Sequence, residues 1–263
     1  MQASKQTQDR ATIAEVLAIQ AGALIRRHFF GATASVEVKS DGSPVTTADR
    51  EAEQFLRERL LTRCPDDTVI GEEFENREGS SPYTWMLDPI DGTKSFVAGV
   101  PLFTVLVAIL HEGTPVTGVI HNPITSETVS ATTGRGCTFN GRPTGIRNCG
   151  SLDEALVLMT DPADLARRRP DFSERISRSA GQIRTWADGY GYLLVATGRA
   201  DAMIDPIMSA WDVAAMKPII TEAGGSWSDF SGDGTGLGES AIAAGPAVHR
   251  DIMSRLTVDH RNA

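Results

Sequence analysis

Apolar and polar positions change rhythm along this chain, first helical, then strand-like, then mixed. After a polar start over residues 1–10 that reads as unstructured, Ile13, Val16, Leu17, Ala21, Leu24 and Ile25 recur at the spacing of one helix face. Gly31 punctuates the end of that helix. Residues 36–39 alternate like a short strand, and residues 40–44 read as a turn or mobile loop. A second helix starts from a cap at Thr46 or Thr47 and buries Ala48, Ala52, Phe55, Leu56 and Leu60. Asp49 then falls in its first turn, where the helix dipole favours a carboxylate. From residue 68 short apolar runs at 68–70, 84–87, 103–110, 116–121 and 128–131, parted by Gly, Pro or Asn turns, predict strands. The second half adds strands at 155–159 and 242–244 and helices at 172–179, 191–197 and 213–223. There is no internal repeat, low-complexity segment or linker. Helices, then sheet, then alternating elements predict a layered α/β (α+β) architecture rather than a bundle or a sandwich.

With 263 residues, 41% of them hydrophobic, the chain can bury a sizeable core as one large domain or two closely packed lobes. A formal net charge of -9 argues against a nucleic-acid binder, and the short basic run from Arg167 to Arg169, set among Asp164, Asp171 and Glu174, reads as solvated surface. Three scattered cysteines, Cys64, Cys137 and Cys149, fit a reducing cytoplasm better than a disulfide framework. No apolar stretch approaches membrane-spanning length, so the expected setting is soluble and cytoplasmic, with no membrane partner.

The chemistry concentrates where an apolar run, Trp85-Met86-Leu87, meets Asp88-Pro89-Ile90-Asp91-Gly92-Thr93. Two carboxylates leaving a strand end can share a hard cation such as Mg²⁺, which wants oxygen ligands. Pro89 would stiffen the turn that aims both, and the amides of Gly92 and Thr93 can form a small nest for phosphate oxygens. Gly71-Glu72-Glu73 offers a third carboxylate at a second strand end, and Trp211-Asp212 places another at a helix N-terminus. Alone, the first is an ordinary solvated pair and the second an ordinary cap. Together they supply more negative charge than a core tolerates without cations.

This combination, in this order, resembles the inositol monophosphatase-like family of metal-dependent phosphatases. The likeness spans nearly the whole chain: Ser43-Pro44-Val45-Thr46-Thr47-Ala48-Asp49, Gly71-Glu72-Glu73, Asp88 to Thr93, Trp211-Asp212-Val213-Ala214-Ala215 and Glu222-Ala223-Gly224-Gly225. The resemblance implies a layered α-β-α-β-α sandwich forming one domain over 1–263, with lobes at 1–145 and 146–263 and the site between them. It implies a first Mg²⁺ held by Glu72, Asp88 and the Ile90 carbonyl, a second by Asp88, Asp91 and Asp212, and a weaker third near Glu72. Metal ions roughly 3.5–4 Å apart clamp attacking and leaving oxygens together. Thr93, hydrogen-bonded to Asp49, would orient and help deprotonate the attacking water, without a covalent phosphoenzyme. Lys39 matches a family lysine on a mobile loop, though a solvent lysine fits as well. Lithium inhibition and a homodimer are further family expectations.

Arg184-Thr185-Trp186-Ala187-Asp188-Gly189-Tyr190-Gly191-Tyr192 looks like the histidinol-phosphatase branch, with Ala187 in place of a glycine and Gly189 in place of a cysteine. Asp91 to Phe96 and Val100-Pro101-Leu102-Phe103 also look like that branch. Histidinol phosphate carries an ammonium and an imidazole, which extra carboxylates favour; Asp188 and Asp205 are the candidates, with Asp91, Gly92, Thr93 and Asp212 at the phosphate and Arg184 nearby. Arg184 would equally serve as an ion-pair partner of Asp188, and Asp205 as an Asp-Pro turn. Inositol-1-phosphate and adenosine 3',5'-bisphosphate are alternative small-molecule esters, and a non-catalytic regulatory protein on the same fold is an alternative of another class. Gly232 to Gly236 lacks a P-loop lysine and reads as a turn. His28, His111, His121, His249 and His260 lack zinc-site spacing, and no GxSxG elbow occurs.

Overall fold

The computed structural model describes residues 4–31, 36–38, 44–186 and 188–256. Lys39, the 40–43 part of the expected loop, Ala187 and His260 lie outside the described residues. The chain opens with α1 (Lys5–Phe30), a two-stranded ribbon of β1 (Val36–Val38) and β2 (Pro44–Thr46), and α2 (Thr47–Arg63). Then come β3 (Thr68–Gly71), β4 (Tyr83–Asp91), α3 (Thr93–Val97), β5 (Thr104–His111), β6 (Thr114–Asn122), β7 (Glu127–Thr132), β8 (Cys137–Phe139) and β9 (Arg142–Thr144). These seven strands, β3 to β9, form one sheet in sequence order; β3 and β4 are parallel and every later pair is antiparallel.

The remaining elements are β10 (Leu156–Met159), α4 (Pro162–Arg168), α5 (Pro170–Ser179), β11 (Gln182–Arg184), α6 (Asp188–Ala196), β12 (Ala202–Asp205), α7 (Ala210–Glu222), β13 (Ser226–Ser228), β14 (Ala241–Ala244) and α8 (Pro246–Leu256). Their five strands make a second, mixed sheet in the order β11-β10-β12-β14-β13.

Alternation on the large sheet explains the layers. Trp85, Leu87, Val105, Val107 and Ile109 point to one face and pack under α1 and α2. Met86, Leu106, Ala108 and Leu110 point to the other and meet α6 and α7. Both faces are buried, so these strands read as continuous apolar runs. The far side of α6 and α7 rests on the small sheet, whose outer face is covered by α4, α5 and α8 through Leu165, Phe172, Ile176, Val248 and Ile252. The result is an α-β-α-β-α sandwich. At its centre α7 lies on β6 so closely that a Cβ at Gly118 would sit 1.9 Å from the Ala215 carbonyl oxygen.

Several expectations need correction. The polar start is helical from Lys5: the Ser4 hydroxyl accepts from the Thr7 amide at 3.1 Å, and Arg10 grips buried Asp67 through Nε and Nη2 at 2.7 and 2.8 Å. These are side-chain anchors that hydrophobic periodicity does not register. The buried stripe of α1 joins Leu17 and Ile25 to Ala14, Ala18, Ala21 and Gly22, small residues that let the helix sit close, while Val16 is exposed. Pro44 belongs to β2 rather than to a turn, and α6 begins three residues before the expected 191. α3, α4, α8, β8, β9, β11, β12 and β13 were not anticipated; most are too short for periodicity to distinguish.

Candidate active site

β4 runs on through Asp88-Pro89-Ile90-Asp91, and its pairing with β5 slips between Asp88 and Asp91. That irregularity brings the two acids to the same end of the strand. Asp88 is buried, and its Oδ1 accepts from the Ile90 amide at 3.0 Å, which locks the turn around Pro89. Gly92 follows in the left-handed region (φ 88°), a conformation suited to glycine, and starts α3. Thr93 Oγ1 donates to the Ile90 carbonyl at 2.9 Å.

Asp212 arrives from a distant part of the chain, on α7. It occupies the first turn of α7, where its Oδ2 accepts from the Ser209 amide at 2.9 Å, so one oxygen caps the helix and the other is left for the centre. Carboxylate oxygens of Asp88, Asp91 and Asp212 all lie within 4.8 Å of one another. Asp91 Oδ2 accepts from Thr104 Oγ1 at 3.4 Å and, at short range, from the Gly189 amide at the start of α6.

Electrostatically these acids frustrate one another. Burial, then the charges of Glu72, Asp91, Asp212 and Asp49, push Asp88 well above the usual carboxylate range. Burial and then Asp188 and Asp212 do the same to Asp91, against the opposing Gly189 amide. Burial lifts Asp212 to about 7, with Glu72 and Asp205 adding to it. The donor set of Asp88, Asp91 and Asp212 is carboxylate oxygen alone, which suits a hard divalent cation and no soft one. The residues therefore fit Mg²⁺.

Asp188 stands beside this group in a left-handed conformation (φ 54°) that a non-glycine residue rarely adopts. Burial, then Asp205 and Asp212, raise it to about 7, while Lys94 of α3 pulls the other way. Arg184 is exposed and donates to the Ile183 carbonyl, and its expected pairing with Asp188 does not occur. Asp205 is buried, with Oδ2 accepting from Tyr192 Oη at 2.8 Å and Oδ1 from the Thr160 amide at 3.2 Å. It lies under the site with both oxygens occupied, because a carboxylate at the end of β12 finds donors on α6 and β10's exit.

The expected Thr93–Asp49 bond is also replaced. Asp49 Oδ2 accepts from the Thr46 amide and hydroxyl at 2.8 and 2.5 Å, closing a capping box on α2. A capping box is satisfied locally, and the Thr93 hydroxyl takes the neighbouring carbonyl instead. Lys94, Thr104, Thr160 and Tyr192 were missed. Tyr192 lies in the Tyr190-Gly191-Tyr192 string, but nothing in the string alone sets an anchoring phenol apart from core.

A layered α/β fold that brings the carboxylates of Asp88, Asp91 and Asp212 together, taken with the relatives it resembles, marks this protein as a phosphoric monoester hydrolase. Residues 6–261 match the inositol monophosphatase family, and the chain belongs to that family. Histidinol-phosphatase of Chlorobaculum parvum is 38% identical over 244 residues, 91% of this chain and 93% of that protein. Histidinol-phosphatase of Mycobacterium tuberculosis is 34% identical over 259 residues, 94% of this chain and 98% of its own length. Among solved structures, the extragenic suppressor protein suhB of Bartonella henselae superposes with a TM-score of 0.88 at 26% identity, over 95% of this chain and 99% of that one.

Proposed function

We propose that this enzyme hydrolyses L-histidinol phosphate to L-histidinol and phosphate, with two or three Mg²⁺ ions. The convergence of Asp88, Asp91 and Asp212, with Asp188 at their edge, carries the reading. Glu72, Asp88 and the Ile90 carbonyl would hold one ion, and Asp88, Asp91 and Asp212 a second. Held there, Mg²⁺ would supply positive charge that offsets the ester's dianion and the charge on the leaving oxygen and makes water easier to deprotonate.

The chain's own groups do the rest. Thr93 Oγ1 donates its hydrogen bond to Ile90 O, which leaves the hydroxyl oxygen to accept an O–H of the attacking water and orient it. The amides of Gly92 and Thr93 address the phosphate oxygens. Asp49 fixes the start of α2 and adds its charge to the field around Asp88. Asp188 meets the ammonium or imidazole of the alcohol portion, whose positive charge would draw its carboxyl back to the ionised form. Asp205, through Tyr192, holds β12 against α6 and so steadies Asp188. The two lobes, 1–145 and 146–263, thereby serve as one domain around one site.

Phosphate release in Mg²⁺ from histidinol phosphate, inositol-1-phosphate and adenosine 3',5'-bisphosphate tests the assignment. The highest kcat/KM is expected for histidinol phosphate. Preference for either other ester would overturn the substrate, and failure to bind Mg²⁺ or to turn over any of the three would favour a regulatory protein on this fold.

A further inference from the structure

Two side chains of α2 that the proposed chemistry does not use lie against the loop that carries Glu72. Glu53 is 0% exposed. Its Oε1 accepts from Arg57 Nε at 2.7 Å, one helical turn on, and its Oε2 accepts from the Glu73 amide at 2.8 Å. Arg57 then donates to the Phe74 and Glu75 carbonyls at 3.2 and 3.1 Å, and its guanidinium carbon stands 5.9 Å from the centroid of the Phe74 ring. One Glu–Arg pair thus holds three successive residues of a bend that follows the end of β3. Gly71 completes the fit: a Cβ there would lie 2.1 Å from Glu53 Oε1, so the carboxylate fills the space a side chain would need.

A buried ion pair is a poor device for stability alone, because desolvation offsets much of the attraction. What this pair delivers is a fixed path for the chain between Gly71 and Glu75. Glu72 sits inside that path, and its charge is felt by Asp88, Asp212 and Asp49, groups from three separate elements.

We propose that Glu53 and Arg57 are positioning residues for Glu72, holding its carboxylate toward Asp88 and Asp212 and thereby setting the affinity for the divalent cation. The inference rests on Glu72 being a cation ligand. Partners one step removed from a metal typically govern its affinity by about 10–100-fold.

The test is Mn²⁺ binding to the substrate-free protein, read by the free-ion EPR signal, in a double-mutant cycle of Glu53→Gln and Glu72→Gln. Each single variant is expected to weaken binding, Glu53→Gln by about 10–100-fold. The double variant is expected to bind no more weakly than Glu72→Gln alone, since Glu53 acts through Glu72. A Glu53→Gln variant that binds like the parent, or that adds its full effect on top of Glu72→Gln, would overturn the positioning role. Unchanged binding in Glu72→Gln itself would instead remove Glu72 as a ligand and the inference with it. Should Glu53→Gln fail to fold, Arg57→Met, at a side chain 17% exposed, carries the same cycle with the same expected outcomes.

Discussion

Asp88 shows the trade most clearly. Its carboxyl is buried, its charged neighbours Glu72, Asp91, Asp212 and Asp49 are all acidic, and its ionised form is correspondingly disfavoured. Such a residue costs stability in the metal-free protein and recovers it only on binding a cation. Asp88→Asn should therefore leave the far-UV circular dichroism unchanged and the metal-free Tm no lower than the parent's. The same change should abolish turnover, with a loss of Mg²⁺ affinity exceeding the roughly 10–100-fold of an outer partner. Wild-type activity in this variant would refute the ligand assignment. Asp188→Asn probes the alcohol side: kcat/KM for histidinol phosphate should fall toward that for an uncharged ester, chiefly through KM. An unchanged preference across the ester panel would take Asp188 out of the pocket.

α7 delivers Asp212, and what seats α7 is the bare backbone at Gly118, where a Cβ would come within 1.9 Å of Ala215 O. Gly118→Ala should destabilise the fold by about 1–3 kcal/mol, read from the denaturation midpoint, because a backbone carbonyl cannot swing aside as a side chain can. At temperatures where the variant stays folded, activity should still fall, since Asp212 moves with its helix; full activity would show that the site tolerates the shift. The strands that carry the site were legible in sequence because burial on both faces makes them unbroken apolar runs, as in residues 103–110. The convergence of Asp88, Asp91 and Asp212 was legible because the first two end an apolar strand and the third starts an apolar helix. Edge strands of three residues, such as β11 and β13, offer too few positions for alternation to show. The start of α1 was hidden because polar anchors, Ser4 and Arg10, hold it rather than an apolar stripe. The cap at Thr46 with Asp49 in the first turn of α2 was legible, whereas the Glu53–Arg57 pair was hidden: Glu53 is a second acid on the apolar face of α2, four residues after Asp49, and it and Arg57 bind backbone groups of residues 73–75 that no side-chain pattern records. That second acid on a buried face was the available signal.

In the molecule as a whole, acids from β4, α6 and α7 meet at a centre that repels itself, and its stability must depend on pH and metal together. Asp188 and Asp212 are lifted to about 7, chiefly by burial. In the unfolded chain both return to about 3.9. Between those values the folded state holds protons that the unfolded state has released, so the stabilisation present below about pH 4 is lost as pH rises through about 7. The Tm of the metal-free protein should fall across that window, and saturating Mg²⁺ should remove the fall by replacing the protons; a flat metal-free profile would contradict the electrostatics. Binding and turnover both depend on a cation resting where Asp88, Asp91 and Asp212 meet. The most direct measurement is anomalous diffraction from a crystal soaked in Mn²⁺. The account predicts at least one peak within coordination distance of the Asp88, Asp91 and Asp212 carboxylates, absent in Asp88→Asn; no peak among those oxygens in the parent protein would contradict it.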